Sequence, residues 1–376
     1  MALACMLTPL LFAPGSGGVP SLASPTGVPD LDAYEQTIAA KGGFESARWS
    51  FVTPWELALT WLDRLMSQTI VYGPDGEIIW EGALESVEVQ LGQEPRSRTL
   101  RGMANRARCR YTTVLDTPGV TATASDTLSQ ARYGIVDTVL PLPKSTATAA
   151  AKLRDKELAR RKNPVKGGNT TIATGDLGDV RVTLTFAGWY FFLANLLTSS
   201  TSTTNTNTTT QIASLLTSYN ATNNFFSTIT ADIAASSQPE TEYIAPDTSY
   251  LSKIESLLEI GNSAGQRLVW GVYEGRRFKV SQWAGASPNT IAYRRRLGEA
   301  FVYGPGNGII MPWNVRPDAM YEVVDLLDVS PITAMPDAAA HDYAERVVFS
   351  ASGDALNLTI EPQNSDALDA QLARLH

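Results

Sequence analysis

The chain has 376 residues, 44% of them apolar, 9% aromatic and 18% charged, with 28 Gly and 21 Pro, a globular composition long enough for two to four domains that excludes collagen, bulk disorder and coiled coil. Its two cysteines, Cys5 and Cys109, have no Cys-x-x-Cys spacing, and its two histidines are His341 and the terminal His376, which excludes a disulfide scaffold, a cysteine zinc site and most histidine-based catalysis. The formal net charge of -8 is segregated: residues 1 to 93 carry 3 basic and 11 acidic groups, residues 94 to 316 carry 25 and 16, and residues 317 to 376 carry 2 and 11, a pattern that speaks to surfaces and partners rather than to fold.

In chain order, Met1 to Phe12 is apolar but broken by Pro9, with no Lys or Arg before Lys41. That is unlike a secretory leader, and with the Gly, Pro and Ser punctuation from Pro14 to Pro29 it reads as an extended N-terminal arm over residues 1 to 45. No stretch of 18 apolar residues occurs anywhere, so no membrane-spanning helix is expected. Regular structure is expected from about Ala47, where Trp49 and Phe51 alternate as a strand. Thr53, Pro54 and Glu56 then look like the N-cap, first position and capping-box carboxylate of a helix whose stripe is Trp55, Leu59, Leu62 and Met66.

A hairpin follows, Thr69 to Tyr72 against Glu77 to Trp80 across Gly73-Pro74-Asp75-Gly76, then strands from Leu84 to Leu91 and from Arg98 towards Met103. The arginines at Arg96, Arg98, Arg101, Arg106, Arg108 and Arg110 form the densest basic cluster. They follow strand alternation without a stacking platform beyond Tyr111, so a solvated or protein-facing surface is favoured over a nucleic-acid site. Tyr133 to Leu140 is a candidate strand, and Thr148 to Lys162 a helix ending before Pro164. Val180 to Phe186 is a strand that runs into Gly188-Trp189-Tyr190.

Residues 198 to 210 are thirteen consecutive Thr, Ser and Asn, which reads as a flexible surface loop. Helices are expected around Ile212 to Tyr219, around Phe225, Phe226, Ile229 and Ile233, and around Ile254 to Leu258 with a stop at Gly261. A hairpin of Arg267 to Tyr273 with Arg277 to Val280 turns at Glu274-Gly275-Arg276, and Arg346 to Ser350 pairs with Ala355 to Ile360. Residues 305 to 376 are therefore expected to form a second, acidic, β-rich unit.

The order of motifs Asp75-Gly76-Glu77-Ile78-Ile79-Trp80-Glu81-Gly82, Gly188-Trp189-Tyr190, Trp270-Gly271-Val272-Tyr273-Glu274-Gly275-Arg276-Arg277-Phe278 and Trp313-Asn314-Val315 resembles that of the central tail hub (baseplate hub) proteins of long-tailed bacteriophages. The resemblance covers about residues 45 to 330 and leaves the N-terminal arm and the Thr-rich loop without counterparts. It implies an α+β, β-rich fold with two tail-tube-like antiparallel β-barrel domains and peripheral α/β domains. The first barrel would be residues 46 to 115. The second would draw on the strand segment 168 to 197 and on 305 to 376, leaving 116 to 167 and 211 to 304 peripheral and 198 to 210 a loop. It also implies a homotrimeric ring in the virion. That ring would join the tail tube or distal tail protein to tail-tip or fibre proteins, with a tape measure protein as a further partner and DNA only passing through the channel. Acidic channel walls would repel phosphates, whereas cationic ones would bind them.

An enzymatic reading needs two carboxylates at a set separation, as in a cell-wall-degrading hydrolase. Glu81 and Glu85 are candidates that no motif singles out. A glycan-binding reading would use Trp189, Tyr190 and Trp283. The Gly304-Pro305-Gly306-Asn307-Gly308 run lacks the Lys-Ser/Thr of a phosphate loop and is followed by Pro312. EF-hand spacing is absent. No catalytic, cofactor-binding or metal-ligating set emerges, and the expectation is a non-enzymatic assembly protein.

Overall fold

The computed structural model describes residues 3–12, 21–29, 31–91, 94–168, 178–199, 201–227, 232–233, 239–261, 268–282, 289–294, 299–304, 308–317, 320–325, 342–353 and 355–362. Strands make up 48% and helices 25%, so the fold is β-rich as expected. Its spine is an antiparallel sheet whose neighbouring strands run Ala355–Pro362, Asp342–Ser352, Ala33–Ala39, Lys41–Pro54, Asp179–Gly188, Ile78–Leu91, Ser67–Tyr72 and Ala4–Leu11. No closed barrel is present among the described residues.

One face of this sheet makes the core. Register pairs Leu184 with Trp49 and Val87, and Val182 with Phe51 and Val89, and all six side chains are buried. Cross-strand aromatic and β-branched pairs of this kind stabilise a sheet by a few tenths to about 1 kcal/mol each beyond burial. The Trp55–Trp61 helix lies on this face, with Trp61 edge-on to Phe51 at 5.2 Å. On the opposite face, one row pairs Ser352, Ala33, Ser50, Thr183, Glu88 and Ser97, and the next pairs Ser350, Glu35, Arg48, Thr185, Ser86 and Thr99. The sheet thus has an apolar side and a hydroxyl-rich side.

Three of the four motifs meet beside the Lys41–Pro54 strand where backbones touch. Gly188 is the register partner of Gly82, and Val272 runs parallel beside Gly43. A Cβ on Gly188 would sit well inside contact with the Phe44 carbonyl oxygen, and one on Gly271 would collide with the Gly43 backbone. Trp80 fills the space beside this seam, between Phe44 at 6.1 Å and Phe186 at 5.8 Å.

Around the spine, a four-stranded sheet is built on Arg106–Thr112, which pairs antiparallel with Pro118–Val120 and Ala124–Ser125 and parallel with Asp137–Leu142. The Ala147–Arg161 helix, capped by Thr146, packs on it. A smaller core of Val302, Val315 and Val347 lies among the later strands. As expected, the Tyr250–Glu259 helix is followed by Gly261, at φ +77°, and Leu268–Tyr273 pairs with Arg277–Gln282.

Several expectations are corrected. Regular structure begins well before Ala47: Ala4–Leu11 pairs with Ser67–Tyr72, because Cys5, Leu7 and Leu10 bury their side chains there. Thr53 does not cap the helix, since it stays in the ladder opposite Val180; the Trp55 amide instead donates to the Gly178 carbonyl at 3.2 Å. The same helix stops at Trp61 rather than Met66, which takes φ +66° to turn the chain into the next strand. Tyr133 closes a helix, Thr127–Tyr133, instead of opening a strand. Within 198 to 210, Thr201–Asn207 pairs with Pro239–Ile244 and Thr208 opens the Thr208–Asn220 helix; β-branched Thr favours a strand once a partner strand is available. Phe225 and Phe226 open no helix; they pack from an irregular segment against Tyr219, at 6.2 and 5.2 Å. Ile233 forms an isolated bridge to Val280, and Ile229 lies outside the described residues.

The seam makes a sharp prediction. Gly188→Ala should lose about 3 kcal/mol of stability, the upper end for overpacking. Gly76→Ala, at φ +80° with no atom within 4 Å of the added Cβ, should lose about 1 kcal/mol. Denaturant unfolding of the two variants checks this, and equal losses would contradict a seam set by backbone contact.

Candidate functional site

A buried polar arrangement at this same seam centres on the carboxylate of Glu81, only 1% exposed. Its Oε1 accepts from Gln68 Nε2 at 2.8 Å and Trp189 Nε1 at 3.3 Å, and its Oε2 accepts the Gly275 amide at 2.6 Å. Gly275, at φ +71°, turns its amide inward from the hairpin turn. The Arg276 guanidinium sits over the Trp189 ring at 5.8 Å. Burial pushes the Glu81 carboxyl above its ordinary value, opposed by the three donors and by the charge of Arg276. Burial likewise lowers Arg276. A short distance along the same strand region, Trp313 Nε1 donates to Glu77 Oε1 at 2.7 Å, while Arg316 lies over Phe44 at 4.8 Å. Motifs that begin at residues 75, 188, 270 and 313 are therefore one three-dimensional unit.

The arginine cluster is consumed within the chain. Arg98 pairs with Asp63, Arg101 with Glu85, Arg106 with Asp137, and Arg108 and Arg110 share Asp247. Asp137 is gripped by both Arg106 nitrogens, at 2.5 and 2.8 Å, and also accepts the Leu197 amide at 3.1 Å. These arginines all have carboxylate partners within the chain, and Arg101 stays 75% exposed beside its partner. Asp137 and Asp247, which the sequence did not single out, position the small sheet against the segments that follow it.

Glu81 and Glu85 do not form a hydrolytic pair at a common cleft. Glu85 is held bidentately by Arg101 at 2.7 and 2.9 Å and borders a 250 Å³ cavity that Glu81 does not line. Trp189 and Tyr190 are buried, so neither offers a face to a sugar; Trp283 lies outside the described residues, as do His341 and His376. At the ends of the glycine-rich run, the Gly304 amide donates to the Gly308 carbonyl at 2.9 Å, next to the pairing of Glu299–Tyr303 with Ile309–Ile310. No group of three metal-ligating side chains exists among the described residues. None of their helices is long and apolar enough to cross a membrane.

Solved structures similar to this chain include phage tail proteins. The chain is similar to the 43 kDa tail protein of prophage MuSo2 from Shewanella oneidensis, at 8% identity and a TM-score of 0.44 over 98% of this chain and 100% of that one. It is also similar to a tail protein of Neisseria meningitidis, at 9% identity and 0.40 over 96% and 97%. A third likeness, at 8% identity and 0.41 over 89% and 74%, is to an E. coli component of the type VI secretion system, itself described as structurally similar to the T4 bacteriophage tail proteins gp27 and gp5. No protein-family model and no curated protein matches the chain.

The raised Glu81 carboxyl carries a pH signature. The folded chain holds this proton to a higher pH than the unfolded chain, whose carboxyl titrates near 4.5. The contribution of Glu81 to stability is therefore largest below that value and declines as pH rises through the folded one. The stability of the wild-type chain relative to Glu81→Gln should fall as pH rises above the unfolded value of 4.5 in thermal unfolding. A relative stability that grows with pH would contradict the burial account.

Proposed function

We propose that the chain is a structural, non-enzymatic virion protein: a baseplate or tail-tip hub subunit that forms a homotrimeric ring. The observation that carries this reading is the convergence of the four hub-like motifs on the Glu81 seam, which makes the resemblance a property of one packed unit instead of scattered short matches. In this reading each subunit supplies two tube-like β domains, residues 46 to 115 and the combination of 168 to 197 with 305 to 376, which share one sheet because the Asp179–Gly188 strand pairs with both Lys41–Pro54 and Ile78–Leu91. Three chains then match the sixfold symmetry of a tail tube. The segments 116 to 167 and 211 to 304 lie at the periphery.

The hydroxyl-rich sheet face supplies a suitable channel wall. Ser86, Thr185, Ser350 and Ser352 lie there with exposed Glu35 and Glu88 and a single exposed cation in the two rows, Arg48, and salt-linked binding of DNA scales with the number of cations offered. Ion pairing sharpens the charge pattern. Asp63, Glu85 and Asp32 of the acidic first segment bind Arg98, Arg101 and Arg181 of the basic middle, so part of the segregated charge acts as glue between segments. The partners are then the tail tube or distal tail protein on one side and tail-tip or fibre proteins on the other.

Native mass measurement with electron-microscopy class averages tests the reading. The expected outcome is a three-chain mass and a threefold ring with an open centre. A monomer at all concentrations, together with absence of the chain from purified tails, would overturn it.

A further inference from the structure

Two features at opposite ends of the Arg106–Thr112 strand have complementary shapes and chemistry. At its far end, the turn into Pro118–Val120 carries Val114 and Leu115, 73% and 85% exposed, with Val120 also exposed beside them. Single exposed aliphatics are ordinary on protein surfaces, but here two adjacent ones cap a projecting hairpin. The tip is held in shape from within: the Thr113 amide donates to the Thr117 carbonyl at 2.9 Å, the Asp116 amide donates to the Thr113 carbonyl at 3.0 Å, and Asp116 has φ +58°. A rigid tip binds at lower entropic cost than a mobile one.

At the near end is the 250 Å³ cavity, whose apolar wall includes Met66, Leu100, Met103, Tyr133 and Phe191. Phe191 is 39% exposed although it stacks on Tyr190 at 4.2 Å. The strand leaves the cavity rim just after Met103, and at about 3.3 Å per residue its seven residues carry the tip roughly 23 Å away. A chain therefore cannot fill its own cavity with its own tip.

The rims match in charge as well. The tip carries Asp116 and Lys144, 3.4 Å apart and 71% and 65% exposed. The cavity carries Arg101, 75% exposed, with Glu85. Each side can exchange its own partner for one across a contact, Asp116 with Arg101 and Lys144 with Glu85.

We propose that the Val114–Leu115 hairpin tip of one chain docks into the Met103/Tyr133/Phe191 cavity of a second copy. Because tip and cavity are different surfaces, the contact is head-to-tail, the kind that closes into a ring when the rotation between subunits allows. The proposal rests on the multi-copy assembly described above and assigns its contact.

The test compares the wild-type chain with Val114→Ser/Leu115→Ser, which changes only exposed side chains. It also mixes Leu115→Cys chains with Phe191→Cys chains under mild oxidation; the native Cys5 and Cys109 are buried. The wild type should assemble. The double serine variant should keep its melting temperature but need about tenfold or more higher concentration to assemble, as expected for the loss of anchor residues. A disulfide-linked dimer should form in the mixture and not from Phe191→Cys alone. If the wild type assembles and the serine variant assembles equally well without a mixed disulfide, the docking is wrong and the ring reading survives. A wild type that stays monomeric at all concentrations overturns both.

Discussion

Close backbone approach at the Gly188 seam is the constraint on which the rest of the molecule depends. Four strands far apart in sequence can meet there only because Gly43, Gly82, Gly188 and Gly271 carry no side chain at the points of contact. Backbones this near leave Trp80 and Phe44 to fill the flanks. They also leave little room for water, so the polar groups trapped there must satisfy one another. Glu81 does this by accepting from Gln68, Trp189 and Gly275. A buried carboxylate with three donors in three separate elements is costly to break and specific in geometry. It ties the strand region around residue 81, the turn after residue 188 and the hairpin at residue 275 into a single frame.

Much of that frame was legible in the sequence, for reasons that can be named. The core strands alternate cleanly, so Trp49, Phe51, Val87, Val89 and Val180 to Phe186 announce their faces. The turns at Gly73-Pro74-Asp75-Gly76 and Glu274-Gly275-Arg276 carry the glycines that turns require. What could not be read was pairing at long range. Gln68, between the expected helix and strand, carries no sequence signal until the fold places it against Glu81. Asp137 looks like an ordinary strand residue and Asp247 carries no signal of its own until Arg106, Arg108 and Arg110 arrive. Local rules also lost to tertiary ones: Thr53 has the chemistry of a cap but remained in the ladder opposite Val180, and the Thr-rich run reads as unstructured until Pro239–Ile244 supplies a partner strand.

The charge pattern changes meaning once the fold is known. Along the chain, acidic ends and a basic middle suggest separate surfaces. In the fold, several of those charges meet across segment boundaries, as Asp63 with Arg98 and Glu45 with Arg346 do. What stays on display is a sheet face of hydroxyls with scattered charges, Arg48 among them, a periphery of paired arginines and a hairpin with an aliphatic tip. An assembly subunit needs surfaces of these kinds. A rigid frame lets them be presented at fixed angles to neighbouring chains.

A seam that joins motifs spread over more than two hundred residues of sequence should behave as one cooperative frame. Native-state hydrogen exchange tests it most directly. The slowest amides, including those of Glu81, Gly188, Val272 and Gly275, should exchange together with the free energy of global unfolding. If the Leu268–Tyr273 and Arg277–Gln282 hairpin exchanged separately through a cheaper local opening, the account of a single frame would be contradicted.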